Sequence, residues 1–520
     1  LSKVINSIVY YSFFVLTIFI VGASTYNIIT FANGVMRIAL VIGIAAMIAL
    51  LIYFAPKIGA KLGKLVEPIS ARRLLIILIV MAVITKIGAA LIFQINSQMH
   101  PDVKEYVSYA KQLIDNGCIT QDVLYAYKVP KAIIFGMSLM PCVKFFGTNP
   151  LALSIYVSIW QIVTLCAFYS TIKYLLSKKI AFFSMLIWVL LPTEIFLPQY
   201  TIHEQALLLF NAITIWLFFK VLPCTGKTWQ KIIVVILGAV SLSIGTTINQ
   251  LGMISAIAIC VVFISQWFGT KITIKSTLYT VGKISVIVLA VFLIMQGSRS
   301  YAKSLCVMDG EDTKIVNSGY TWAFYVGMNA ESNGQFALND NIDFKAKDDI
   351  LPAAQVKEYR NDLLKNRVTD LVNNPAKLSG LMWNKFNNIW GNTKYSLDYS
   401  NETIQNDNTK ALYSKFIFKP LSIITCLTLC CLAVILLLSL KNKIYRKVSL
   451  LQYMMMFMIG FTLILLLVEC NTKYVACFKI YFIITAIAGF KTFSELSEKI
   501  TNKIFKRSKT KIEERKNDSI

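Results

Sequence analysis

The chain has 520 residues, 56% of them hydrophobic and only 15% charged, with a formal net charge of +25. So little charge over such a length excludes an ordinary soluble protein. The Lys and Arg residues fall between long apolar runs, so they read as loops held on the cytoplasmic side of a bilayer and not as a nucleic-acid surface.

Spans are expected near 8–30, 35–54, 73–95, 150–175, 179–199, 204–222, 231–248, 249–268, 277–297, 418–440, 449–469 and 474–491. That is about 12 transmembrane helices, each able to cross ~30 Å of hydrocarbon. The first run, from Ile8 to Phe31, is too long for a signal peptide and lacks a small-residue cleavage site, so it is read as a retained span. Lys57, Lys61, Lys64, Arg72 and Arg73 place the loop 55–73 inside, and the N-terminus with it. Alternation then keeps Lys178–Lys179, Lys227 with Lys231, Lys271 with Lys275, Lys441–Lys447 and the tail inside. Segments 96–149, 200–204, 299–417 and 469–474 fall outside. The expected architecture is an all-α polytopic membrane protein with a mixed extracytoplasmic loop domain. It divides into two extra N-terminal spans (1–72), a transmembrane core (73–298), the outer domain (299–417), C-terminal spans (418–492) and a basic cytoplasmic tail (493–520).

Within the first outer loop, HPDVKEYVSYAKQLIDNG reads as a short amphipathic helix with Tyr106, Tyr109, Leu113 and Ile114 on one face, resting on the membrane surface. Asp102 stands just past the membrane exit, flanked by His100, Glu105 and Tyr106. A carboxylate there can act as a general base; it can equally cap the helix that starts after Pro101. Residues 131–147 are apolar but short, contain Pro141 and are flanked by Lys131 and Lys144. Were they to cross, every later basic loop would face outward, so they are expected to form an interfacial or re-entrant helix.

The second acid, Glu204, lies where apolar sequence resumes after residue 200, beside His203. The chain has two His in all, and each adjoins one of these acids. An ionisable group at a span end suggests function, and a carboxylate opposite a helix dipole is the plain alternative. Glu194 sits deeper and reads as a buried, hydrogen-bonded acid. In the outer domain, VKEYRNDLLKNRVTDLVNNP is an expected helix ended by Pro375. Trp383 and Trp390 follow on one helix face, suited to anchoring or packing. The tail reads as a basic amphipathic helix resting on anionic lipid.

Four segments resemble the multi-span glycosyltransferases of the GT-C fold, in particular the bacterial branch with protein mannosyltransferases and the aminoarabinose transferase of lipid A. They are HPDVKEYVSYAKQLIDNG, KYLLSKKIAFFSMLIWVLLPTEIFLPQYTIHEQAL, FYVGMNAESNGQF and ECNTKYVACFKIYF, which together cover most of 73–491. The resemblance implies transfer of a sugar from a polyprenyl-phosphate carrier to an extracytoplasmic glycan, lipid or protein. It puts Asp102 on the first-loop acid, the presumed base, and Glu204 on the second-loop acid. Lys473 and Tyr474 fall on an Arg-Tyr pair, where Lys keeps the charge but loses the bidentate fork. Gly327, Asn329, Ser332 and Gly334 fall on a large-loop motif whose role the residues do not reveal. Two extra spans precede the family core, and its proline-rich stretch is thinned to Val129–Pro130 and Pro141.

Lys128, Lys131 and Lys473 are candidates to pair with the carrier phosphate. With His100, Glu105, Tyr106, His203 and Tyr474 they complete the expected substrate-binding set. Some members of the family use a metal and others do not, so Mg²⁺ or Mn²⁺ on Asp102 and Glu204 stays open. The sugar–phosphate bond supplies the energy, and no GxxxxGK[ST] loop occurs. A Lys- and Asn-rich chain fits a low-GC bacterium, so a wall polymer, a teichoic acid or a surface protein are expected acceptors. Two rival readings remain: a polysaccharide polymerase or ligase, and a transporter of lipid-linked sugar. No internal repeat is visible to favour the second.

Overall fold

The computed structural model describes residues 1–30, 35–307, 319–348, 350–391, 395–476 and 478–517. Residues 308–318 of the expected outer domain, Cys477 of the last quoted motif and the final three residues of the tail therefore lie outside the described residues. Among the described residues, nine helices are long and apolar enough to cross a membrane, and up to 11 if each of two bent pairs is one span. A further apolar helix, Gly252–Phe268, has 17 residues and falls just short. The twelve expected segments thus each meet an apolar helix, and nine to 11 of them are long and apolar enough to cross.

The bent pairs show where proline and glycine interrupt the apolar pattern. Lys178–Leu190 and Pro192–Tyr200 meet at 68°, because Pro192 cannot donate into the preceding turn. Lys479–Ala488 and the helix from Phe490 meet at 52° around Gly489. The tail continues from that second bend as helix Phe490–Asn517.

The outer domain departs from expectation. Among the described residues no strand forms there. The segment is built from helices Gly319–Gly327, Leu338–Lys345, Ala353–Asn373, Pro375–Trp390 and Tyr395–Thr403. Among the described residues the β-type pairing amounts to two isolated bridges, Ile95 with Ile404 and Ile119 with Cys306. The expected "mixed" character is thus corrected to helical: its Asn- and Gly-rich stretches make turns between helices. The Trp pair packs. Trp390 is buried and donates to the Thr462 hydroxyl at 3.0 Å, while Trp383 stacks on Phe386.

The loops sort to two ends of the bundle. At one end Lys178 donates to the Glu67 and Ile69 carbonyls, and Ser2 meets Ser265 at 3.2 Å. Gln266 reaches Ser449 at 2.7 Å and Asn442 reaches Thr492 at 2.6 Å, also at that end. At the other end the amide of Asn96 bonds the Thr403 carbonyl, and Cys470 bonds Gly334. Every segment assigned to one side by alternation that appears in these contacts meets partners assigned to the same side. The first span shares the core through Tyr10, Phe13, Leu16, Ile20 and Ala23. It packs on the helices Phe418–Ser439 and Ser449–Leu467 near the far end of the sequence.

Candidate functional site

The first-loop helix runs Pro101–Asn116 and is opened by His100, not by Asp102. The His100 Nδ1 accepts the Asp102 amide at 3.2 Å. The capping alternative for Asp102 is thereby corrected, and its carboxylate is free for another partner. Val103, Tyr106, Val107, Tyr109, Ala110 and Leu113 are buried on one face, and Ile114 is half-buried. Protein covers this face: helix Pro130–Phe146 lies along it, in place of the lipid surface expected for it. The approach is close because Gly136 has no side chain. A Cβ there would stand 2.8 Å from the Tyr106 carbonyl oxygen. At 17 residues with Pro141 inside, Pro130–Phe146 is shorter than the spans.

Three elements distant in sequence meet above the start of this helix. Lys473, buried on the short helix Thr472–Ala476, donates to Asp102 Oδ2 at 2.9 Å. Tyr106, one turn beyond Asp102, reaches His203 Nδ1 at 3.3 Å, and His203 Nε2 lies 3.3 Å from Glu204 Oε1. A neutral imidazole meets both demands when Nε2–H donates to Glu204 and Nδ1 accepts the Tyr106 hydroxyl. Asn249 also donates to Glu204 Oε1, at 3.3 Å, while Glu204 Oε2 is buried with no hydrogen-bond partner. Lys131 stands in the first turn of Pro130–Phe146, an end whose dipole opposes a cation. What favours it there is the group of acids it faces: Glu204, Glu469 and Asp102.

Charge distribution follows from this packing. Burial pushes the Asp102 carboxyl up, but the Lys473 ion pair, with His100 and Lys131, outweighs it and holds the group below its ordinary value. Burial works against the Lys473 ammonium, and Asp102, Glu204 and Glu469 more than restore it. Lys131 stays below the usual lysine value, through burial and the nearby Lys473. Burial lifts Glu469. It also lifts Glu105, to about 7, helped by Asp102 and opposed by a hydrogen bond from Tyr125. His100 is lowered by burial, against the pull of Asp102. Tyr106 and Tyr474 are pushed far up by burial and stay neutral hydroxyls.

Of the expected site residues, Lys473 pairs with Asp102, and Tyr106, His203 and Glu204 form a second chain one helical turn away, with Lys131 near enough to act on both through its charge and His100 and Tyr474 at the edge. The His100 ring lies 5.0 Å from Tyr200, and Lys473 Nζ lies 5.7 Å from the Tyr474 ring centre. Glu105 turns to Tyr125. Lys128, half-buried at the end of helix Val123–Lys128, joins none of these groups among the described contacts. Glu194 is a buried acid that accepts from Trp188 Nε1 at 3.1 Å, and its carbonyl takes the Lys86 ammonium. Three contributors escaped the sequence reading: Glu469, Asn249 and Lys385. Glu469 could have been found, since it stands four residues before Lys473 at a span end. Nothing local marks Asn249, which reaches Glu204 only through the packing of neighbouring spans.

Among the described residues no three His, Cys, Asp or Glu side chains gather to hold a metal ion. Asp102 already faces an ammonium and Glu204 a His and an amide. Together they do not make the carboxylate set that Mg²⁺ or Mn²⁺ takes. Comparison of the chain with protein-family models, with curated proteins and with solved structures finds no match.

Proposed function

We propose that the chain is a membrane glycosyltransferase of the GT-C type that moves a sugar from a polyprenyl-phosphate carrier to an extracytoplasmic acceptor. One observation carries the reading: Lys473, 371 residues from Asp102 in sequence, pairs with it at 2.9 Å, and the charges of Glu204 and Lys131 act on the same pair, at the end of the bundle that holds segments 96–149 and 469–474. The positive-inside rule assigns the Lys-rich end to the cytoplasm and this group to the outside.

The chemistry follows from the charges. The two ammonium groups suit the phosphate of the carrier. An acceptor O–H or N–H attacks the anomeric carbon from the face opposite the phosphate, and its proton passes to Asp102. The C–O bond to phosphate breaks with its electron pair, and the polyprenyl phosphate leaves against Lys473 and Lys131. Pairing with Lys473 keeps Asp102 a weak base. A donor phosphate that draws Lys473 away raises the basicity of Asp102, so the base is switched on by the substrate it serves. Glu204 Oε2, buried and unpartnered, is available to accept from a sugar hydroxyl.

A transporter would need a polar route between repeats. The deep residues Lys86 and Glu194 are instead tied down inside the bundle, the ammonium on the Glu194 carbonyl and the carboxylate on Trp188 Nε1. The test is to incubate the purified protein with a panel of polyprenyl-phosphate sugars and measure release of free polyprenyl phosphate. Wild type should release it, and Asp102→Asn should be slower by about 10²–10⁴, the usual contribution of a general base. Full activity in Asp102→Asn would remove the base assignment.

A further inference from the structure

Lys385, on the outer helix Pro375–Trp390, is fully buried and has two backbone partners that belong to different parts of the chain. Its Nζ donates to the Gly327 carbonyl at 2.8 Å and to the Val468 carbonyl at 2.8 Å. The first lies at the end of helix Gly319–Gly327, and the second immediately precedes Glu469. Around this strut the two segments are laced together. The Glu469 amide donates to Ala323 and the Cys470 amide to Gly334, each at 2.8 Å, and the Cys470 thiol donates to the Lys385 carbonyl.

The Gly327–Gly334 motif is shaped for this contact. A Cβ on Gly327 would stand 2.3 Å from the Val468 carbonyl carbon, so only glycine lets the segments approach. Gly334 has φ +72 and lies against the Lys385 methylenes. Asn329 folds the turn by accepting the Glu331 amide at 2.9 Å, and its own amide is anchored on Asp340. Arg367 secures Asp340 at 2.8 Å in turn. An apolar side chain of the same length would fill the space without the cost of a buried ammonium. What it could not do is hold two carbonyls together.

We propose that Lys385 is a positioning residue: by tying the Gly327–Gly334 turn to Val468 it fixes the segment that presents Glu469 and Lys473 to Asp102. The outer domain thus sets the geometry of the cation opposite the base. Only the kinetic arm of the test rests on the transferase reading.

Two variants of the full chain, Lys385→Met and Gly327→Ala, separate this from a general loss of stability. The first removes the strut and the second wedges the same contact apart. Cys470 is buried and the exposed Cys224 serves as reference, so mass-spectrometric mapping of maleimide labelling reads the segment directly. Either variant should speed labelling of Cys470 at least about tenfold relative to Cys224, since local opening governs access to a buried thiol. Where transfer is measured, KM for the polyprenyl-phosphate sugar should rise about tenfold with a smaller change in kcat. Wild-type protection of Cys470 in a folded variant overturns the proposal, as does a fall in kcat at unchanged KM. Wild-type protein that transfers no sugar refutes the transferase reading and leaves the strut to be decided by labelling alone.

Discussion

At the scale of single residues, the site is governed by the balance between burial and pairing. Asp102 is a half-buried acid that stays ionised because Lys473 touches it, so the acid limb of a rate profile should lie at or below the ordinary carboxylate range. Lys473→Met removes the pairing and leaves the burial. An opposite charge in contact lowers a carboxyl, so without it the acid limb of kcat/KM should move to higher pH. The sign is fixed: a base with a raised pKa is lost earlier as pH falls. A profile that drops in height with no movement of the limb would mean that Asp102 is not the titrating group. Much of this was legible in the sequence, because an acid next to one of two histidines at a membrane exit is conspicuous in a chain so poor in charge. The cap was not legible. His100 and Asp102 are both able to open a helix, and only backbone geometry decides which does.

At the scale of helices, the decisive contact is the close approach of Pro101–Asn116 and Pro130–Phe146. It carries Tyr106 toward His203 and brings Lys131 to the acids. Gly136→Ala places a methyl 2.8 Å from the Tyr106 carbonyl, where backbone on both sides cannot yield cheaply. Overpacking of this kind costs about 1–3 kcal/mol. The variant should therefore show a lower midpoint of thermal unfolding in detergent, with transfer reduced further than the lost stability explains. An unchanged midpoint would show that the pair of helices has room to separate. Helix existence was legible nearly everywhere because apolar runs of span length have few other uses. The bends at Leu191 and Gly489 were less so, since hydropathy does not distinguish a straight span from two half-helices. The outer domain misled for a related reason. Asn, Gly and Asp clusters mark turns, and turns join helices as readily as strands.

For the molecule as a whole, the sorting of loops makes a topological prediction. Cys224 lies near Lys220 and Lys227, and Glu331 is exposed on the outer domain. In intact cells a membrane-impermeant maleimide should label Glu331→Cys and leave Cys224 untouched until the membrane is opened. The reverse pattern would turn the bundle over and put the acid group in the cytoplasm. Charge counting along the sequence leads to this expectation because each basic turn follows a span, and parity alone decides the status of 131–147. It could not foresee which spans touch, because lipid-facing and protein-facing sides are equally apolar.

The first span has its own consequence for biosynthesis. It packs on Phe418–Ser439 and Ser449–Leu467, and Asn27 donates across to Asn387. During synthesis this helix therefore waits for partners that are translated much later. A nascent chain stopped short of Phe418 would present that unfinished seam to the proteases that police the membrane.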